Sequence, residues 1–310
     1  MKPNLQRKFR TLAIICLFTS FAGVIFQLIS EKLLNYKSVM VGFPLGLVFG
    51  IMELFLLPRA ESKFRQWTFT RILLFKAFLY TSVIYLITIA LAIIAGLIDG
   101  NSWSELPPML ISTDQLILVL YSLTIFSLLL FFLQVNHLLG EGILWKFILG
   151  KYHRPREEER IFMFLDMKSS TSIAEKLGHI RFYNLLNELF HDMSQPILQT
   201  KAEIYQYVGD EVVLTWEVDE GLSNSNCLHT FFKFRERLHA NRVNYFRDFG
   251  VVPEFKAGLH FGKVVSAQIG DLKREIVYNG DVLNTTSRIQ SECNKYERDC
   301  LVSGALKNRL

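Results

Sequence analysis

The sequence has only four cysteines, Cys16, Cys227, Cys293 and Cys300, and none stands at C-x-x-C or other metal-ligand spacing. That pattern offers no zinc module and no disulfide framework, and it suits a reducing cytoplasm in which thiols serve as small buried side chains. Charge of one sign is scarce as well. The 34 Lys and Arg against 29 Asp and Glu leave a net +5 over 310 residues. Much of that excess sits in short basic segments beside apolar runs, so it describes membrane topology, and no nucleic acid polymer is expected as a partner. No small-residue cleavage site follows the first apolar run. That run is therefore expected to be an anchor, not a removed signal peptide.

What the sequence has in abundance is apolar residues, unevenly spread: the mean hydropathy is +0.25, and the apolar runs concentrate before about residue 150. The composition changes abruptly at Lys151-Tyr-His-Arg-Pro-Arg-Glu-Glu-Glu-Arg160. The expected division is a transmembrane domain at 1–136, a linker or coupling segment at 137–159 with Arg156 to Arg160 as a solvated hinge, and a second domain at 160–310. A spanning helix needs about 20 mostly apolar residues. Four runs meet that need: Thr11 to Ile29, Val39 to Leu57, Ile72 to Ile98 and Leu116 to Val135.

Lys2, Arg7, Lys8 and Arg10, then Arg59, Lys63, Arg65 and Arg71, then the basic segment after the fourth run mark the cytoplasmic side. The loop Asp99 to Pro108 carries acidic groups and no Lys or Arg, so it belongs outside, whereas the short Glu31 to Lys37 loop with its two lysines runs mildly against this order. The expectation is a multi-pass protein of the cell inner (plasma) membrane, bathed in membrane lipid, with its N-terminus and second domain cytoplasmic. Glu53 and Lys76 interrupt the apolar runs at similar depth, roughly 7 to 8 Å from the cytoplasmic ends at about 1.5 Å per residue. Two outcomes stay open: each snorkels separately to the interface, or the two pair. The stretch from Asn136 to Leu149 continues the fourth helix, either along the membrane surface or against a second copy.

From Arg160 the pattern alternates strand and helix. Ile161 to Leu165 is a buried-strand run, and Ser169 to Ser172 supply helix-capping hydroxyls before Ile173 to Leu177. Then come a helix from Ile180 to about Leu198, a hairpin of Ala202 to Val208 and Glu211 to Trp216 around Gly209-Asp210, and a helix from about Asn224 to Phe249. Strands at Glu254 to His260 and Val264 to Ile269, a helix from about Val282 to Tyr296 and a short strand Leu301 to Ser303 complete the order. The fold class expected is an N-terminal four-helix transmembrane domain followed by an α+β ferredoxin-like domain.

Asp166 closes the first strand and Asp210 sits at the hairpin tip, so neighbouring strands would aim both carboxylates at one spot. Mg²⁺ favours a few carboxylates together with substrate phosphates over an all-protein cage. The backbone N–H groups near Ser169, Ser170 and Thr171, at a helix start, suit a polyphosphate.

These surroundings resemble the class III adenylate/guanylate cyclase family, of the bacterial membrane-anchored type, along nearly all of Arg160 to Ser303. Phe164-Leu-Asp-Met-Lys-Ser-Ser-Thr171 is similar to the first metal motif of the family and Tyr207-Val-Gly-Asp-Glu211 to its second. Lys256-Ala-Gly-Leu-His-Phe-Gly-Lys-Val264 resembles its glycine-rich strand turn, and Asn279-Gly-Asp-Val-Leu-Asn-Thr-Thr-Ser-Arg288 its helix-start motif.

The resemblance implies conversion of ATP, or less readily GTP, to the 3′,5′-cyclic nucleotide and pyrophosphate for intracellular signalling. It further implies two Mg²⁺ or Mn²⁺ ions per active site on Asp166, Asp210 and the backbone carbonyl of Met167, with Asn284 orienting the nucleoside and Arg288 steadying charge on the transferring phosphoryl group. Active sites shared across a head-to-tail homodimer follow from the same likeness. At the two base-selecting positions this chain has Gln206, whose amide still hydrogen-bonds a purine edge, and Val277, which offers no polar atom. The domain is expected to be short at its carboxyl end, since the lysine-bearing hairpin of the family does not precede Leu310, and Lys307 is not assigned that role. Three alternatives remain in view: a weak or silent cyclase-like domain that binds nucleotide or dimerises as a receptor module, a diguanylate cyclase on the strength of Gly209-Asp-Glu211, and a small transporter with a regulatory tail.

Overall fold

Each of the four apolar runs folds as a helix, in which the backbone satisfies its own hydrogen bonds. The helices are α1 (Pro3–Glu31), α2 (Lys37–Ile51), α3 (Phe69–Ile98) and α4 (Thr113–Leu139). This computed structural model describes residues 3–31, 37–57, 67–98, 113–139 and 150–310, and the chain divides into two units, Met1–Val135 and Asn136–Leu310. Among the described residues, two stretches are long and apolar enough to cross a membrane, Lys8–Leu28 and Leu116–Asn136, and Gly42–Leu56 and Leu74–Ile87 are shorter apolar helices. Lys2, Arg59, Lys63 and Arg65, the acidic loop at 99–108 and the coupling residues 140–149 lie outside the described residues.

Gly42, Gly46 and Gly50 recur every four residues along α2 and meet α1 at Leu12, Cys16 and Thr19; a Cβ on Gly46 would fall 1.9 Å from Thr19 Oγ1. Glycines at that spacing let two helix backbones approach closely. Ile15, Phe49, Tyr80, Ile84, Phe126 and Leu130, drawn from all four helices, share one buried cluster. Beyond Ile51 the helix opens into a π-helical turn, Met52–Leu56. There Glu53 accepts a hydrogen bond from Lys76 Nζ at 2.8 Å and another from the Tyr80 hydroxyl. The two charges therefore pair. Separate snorkelling is ruled out by their mutual burial, at 15% and 14% exposure of the side chains.

The second unit is built on β1 (Arg156–Met167). Its odd-numbered residues Ile161, Met163, Leu165 and Met167 are buried on one face, so by strand alternation Arg160, Phe162, Phe164 and Asp166 share the other. The chain continues through α5 (Ser170–Leu177), α6 (His179–Gln199), β2 (Glu203–Val208), β3 (Glu211–Glu217), α7 (Val218–Leu222), α8 (Asn226–Ala240) and α9 (Arg242–Phe249). Next come β4 (Phe255–Ile269), β5 (Glu275–Asn279), α10 (Asp281–Ser291), β6 (Cys300–Val302) and α11 (Gly304–Lys307). The strands form one sheet in the order β2-β3-β1-β4-β5, antiparallel throughout, with β6 added parallel to β4. Leu185, Leu189 and Met193 of α6 and Phe231 and Phe234 of α8 close the odd face together with Trp216 and Leu214 of β3. Each such fully buried side chain contributes about 1.5–3 kcal/mol.

The opposite face is smaller and mixed. Phe162, Val213, Val264, Tyr278 and Val282 cluster there. Arg160, fully buried beside them, donates to Glu158 at 3.1 Å and Glu203 at 3.0 Å and lies 4.8 Å from the Tyr278 ring centroid. The charge run 156–160 is thus the first part of a strand and not a solvated hinge, because Arg160 needs that interior ion-pair set. Two further expectations are corrected. Residues 255–269 form one continuous strand with no turn at Gly262, whose missing side chain instead leaves room for Val282, 2.6 Å from where its Cβ would stand. The long helix expected across Asn224 to Phe249 breaks at Asn241 into α8 and α9. Strand β5 carries no apolar run long enough to announce it and was not expected.

Gly258→Ala is expected to destabilise the second unit by about 1–3 kcal/mol, the usual cost of overpacking, because its Cβ would meet the Gln290 backbone nitrogen at 2.3 Å. An unchanged urea midpoint for the full chain in detergent would contradict this close packing. Lys76→Ala strands a buried carboxylate and should cost the helical unit about 3 kcal/mol, whereas adding Glu53→Gln should recover part of the loss in thermal melts.

Candidate active site

The register of the sheet brings the two aspartates together. Pairing of Leu165 with Val212 sets the end of β1 beside the β2–β3 hairpin, and pairing of Asp166 with Lys256 sets it beside the start of β4. The hairpin turns on Gly209, which takes a φ of 63°, open to glycine without strain, and Asp210 follows at the tip. The Asp166 carboxyl faces that of Asp210. Burial first, and then the Asp210 carboxyl, push the Asp166 pKa up, while Lys256 and Gln290 hold it back. Asp166 Oδ2 accepts from Gln290 Nε2 at 2.9 Å and lies 3.4 Å from Lys256 Nζ.

Asp210 Oδ2 is buried and accepts no hydrogen bond among the described residues. An unpartnered buried carboxylate oxygen is costly unless something outside the chain satisfies it. Glu211 adds a third acidic group to the same spot. Its pKa rises to about 7, mainly through burial and then through Asp166 and Asp210. Among the described residues no three His, Cys, Asp or Glu side chains form a ready-made metal cage. An incomplete acidic pair is the arrangement to which a ligand bearing its own oxygen donors can be added.

After Met167, Lys168 donates its backbone N–H to Glu254 at 2.8 Å, and its ammonium bonds Asp299 at 2.6 Å. Ser169 then adopts a left-handed conformation, φ 56°, which turns the chain into α5 beside the acidic pair. The hydroxyl of Ser169 makes no cap, contrary to expectation, since the left-handed backbone takes it away from the helix N–H groups. The first-turn N–H groups at Ser170 and Thr171 therefore begin the helix without a side-chain cap from Ser169.

Asn284 and Arg288 lie on α10, four residues apart and both exposed. Val282, Thr286 and Gln290 form its buried face. Among the described residues neither Asn284 nor Arg288 bonds Asp166 or Asp210, and the α10 side chain that hydrogen-bonds Asp166 is Gln290. Gln206 and Val277 lie on β2 and β5, the two terminal strands of the five-strand path, whose neighbouring residues Tyr205 and Tyr278 touch with ring centroids 5.1 Å apart. Reasoning from sequence overlooked Glu211, Lys256 and Gln290 as members of the site. Glu211 and Lys256 lie within motifs quoted above, but their place beside Asp166, like that of Gln290, follows only from strand register and helix packing.

The adenylate and guanylate cyclase catalytic domain family matches residues 153–305. Adenylate cyclase 2 of Rhizobium meliloti (strain 1021) is 34% identical over 233 residues, which is 75% of this chain and 62% of that protein. That match is longer than the unit Asn136–Leu310, so the similarity runs into the helical unit. An adenylate cyclase of Anabaena cylindrica is 26% identical over 156 residues, 48% of this chain and 30% of that protein. The chain thus spans less than two thirds of the length of either relative. A bacterial light-regulated adenylyl cyclase has the same fold, with a TM-score of 0.52 at 19% identity, over 60% of this chain and 57% of that one. Together with the sheet order, these matches show that residues 153–305 form a domain of the class III adenylate/guanylate cyclase family.

Proposed function

We propose that this chain is a nucleotide cyclase that converts ATP, and less readily GTP, to the 3′,5′-cyclic nucleotide and pyrophosphate. The observation that carries the proposal is the facing Asp166 and Asp210 pair, with a buried Asp210 oxygen left unpartnered. A second carboxylate held against Asp166 adds to the cost of ionising it. Such a pair fits divalent cations, Mg²⁺ or Mn²⁺, two per site, with Asp166, Asp210 and the Met167 carbonyl as the protein donors. When bound, those ions supply positive charge for the triphosphate and acidity to the ribose 3′-hydroxyl.

The chain's own groups do the rest. In the reaction the 3′ oxygen bonds to the α-phosphorus, that hydroxyl loses its proton, and the bond from the α-phosphorus to the pyrophosphate oxygen breaks. N–H groups at Ser169, Ser170 and Thr171 hold phosphate oxygens at a helix start. Arg288 places a permanent guanidinium where charge grows on the transferring group, and Asn284 orients the ribose. Gln206 donates or accepts at the purine edge through its amide, and Val277 supplies only an apolar wall.

Because Asn284 and Arg288 project from an exposed helix face and make no bond to the acidic pair of their own chain, they serve the pair of a second copy. A homodimer with shared sites is the consequence. The helical unit is the membrane anchor, a multi-pass bundle of four spans in the cell inner (plasma) membrane with both the N-terminus and the cyclase domain cytoplasmic. Its outward apolar side chains, Leu17, Phe78, Leu86 and Phe131 among them, each more than 60% exposed, support contact with membrane lipid. In that position the helices govern signalling by setting how two cyclase domains meet.

Incubating the purified, lipid-embedded protein with ATP or GTP and Mn²⁺ or Mg²⁺ should yield cyclic AMP, identified by mass, and less cyclic GMP. Absence of either product from folded dimers would refute the proposal. Asp210→Ala and Arg288→Ala should each lower turnover at least about 100-fold, the scale of losing a transition-state electrostatic group. Co-expressed, the two variants should regain one working site per dimer.

The acidic cluster also sets a pH dependence. Glu211 has its folded pKa raised from 4.5 to about 7, so its contribution to stability is complete below about pH 4.5 and is lost as pH rises through about 7. Asp166 shifts in the same direction. In chelator, urea midpoints of the second unit should fall between pH 5 and pH 8, and Mn²⁺ at pH 8 should restore them. A midpoint that rises over this interval without metal would contradict the clustered-carboxylate geometry.

A further inference from the structure

Helix α10 has two working faces, and only one of them belongs to the Asn284 and Arg288 pair. Gln290 follows Arg288 by two residues, which on a helix turns it about 200° away, onto the buried side. It is 6% exposed, and its amide Nε2 donates to Asp166 Oδ2 at 2.9 Å. The contact is built by close packing. Gly258 sits on β4 beneath Gln290, and a Cβ there would lie 2.3 Å from the Gln290 nitrogen and 2.7 Å from its Cα. Lys256, two residues earlier on the same strand, approaches the same Asp166 oxygen at 3.4 Å.

We propose that Gln290 is a positioning residue for Asp166, so that α10 serves both shared sites at once: Asn284 and Arg288 act on the site of the second copy, and Gln290 on the acidic pair of its own chain. This rests on the shared-site cyclase reading. The amide occupies one Asp166 oxygen and fixes the plane of the carboxylate, leaving the remaining oxygen for a divalent cation. An outer hydrogen bond to a metal-ligating carboxylate commonly changes metal affinity by about 10-fold or more.

The test uses Gln290→Met, which keeps length and packing but removes the donor, and Gln290→Glu, which keeps shape and places a like charge against Asp166. Binding of Mn²⁺ alone to the nucleotide-free full chain is followed by electron paramagnetic resonance of the free ion, with thermal melts run alongside. The Mn²⁺ Kd should rise about 10-fold for Gln290→Met and further for Gln290→Glu. Wild-type Mn²⁺ affinity in both variants would overturn the proposal.

Heterodimers of Asp210→Ala with Arg288→Ala, which keep one site, provide the second arm. Gln290→Met placed in the Arg288→Ala chain, which supplies the intact acidic pair, should raise the Mn²⁺ activation constant about 10-fold. Placed in the Asp210→Ala chain it should shift that constant less than about 2-fold, the margin expected where no direct bond to the acidic pair is lost. Equal effects from either chain would overturn the assignment to the chain's own Asp166. An inactive parent heterodimer, with dimers present, would instead refute the shared sites, while Mn²⁺ binding would still decide the role of Gln290.

Discussion

The close approach of α10 to β4 is the constraint on which the candidate site depends. Gly258 and Gly262 fall on one face of a single strand, and their missing side chains admit the Gln290 backbone and the Val282 side chain. With the helix seated there, its apolar and amide residues point into the sheet and Asn284 and Arg288 point out. A methyl group at Gly258 would lift the helix and loosen the Asp166 contact together. The glycines therefore set the geometry of the candidate site through packing.

Two charge clusters in the same domain show opposite physical bookkeeping. Arg160 is fully buried, yet Tyr278, Glu203 and Glu158 outweigh the burial penalty and hold its pKa above the ordinary arginine value. Its carboxylate partners lie in the same domain, although Nη2 makes no hydrogen bond among the described residues and stands 3.7 Å from Glu217. At Asp166, Asp210 and Glu211 three acidic groups meet with Lys256 as the nearest cation, and burial raises the pKa values of Asp166 and Glu211. Opposite charges offset one another around Arg160, whereas carboxylates outnumber cations around Asp166, and a concentration of perturbed acidic groups of that kind is commoner at functional sites than in structural cores.

The helical unit follows the same contrast. Its exterior is apolar, its helix contacts use glycine spacing, and its buried ion pair lies at a π-helical turn joined to Tyr80. A π turn disturbs the regular backbone ladder, and such turns occur often at functional positions. The pairing of Glu53 with Lys76 was within reach of sequence reasoning because both residues were placed at the same depth. The involvement of Tyr80 was not, since nothing in an apolar run distinguishes a hydroxyl that faces a carboxylate from one that faces lipid.

By itself the sequence determined the apolar runs, the strand that ends in Asp166, the hairpin that carries Asp210 and the four-residue spacing of Asn284 and Arg288. These are local features, read from hydrophobic period, turn chemistry and helix geometry. Tertiary structure decided that Arg156 to Arg160 begin a strand and that 255–269 is unbroken, because both follow from the pairing of β1 with the distant β4, and it added β5 as a hairpin partner of β4. It also decided that Lys256 and Gln290 reach Asp166 while Asn284 and Arg288 face away. Register places Lys256 and helix rotation places Gln290 beside a residue far away in sequence, 124 positions in the case of Gln290, and no local pattern carries that relation.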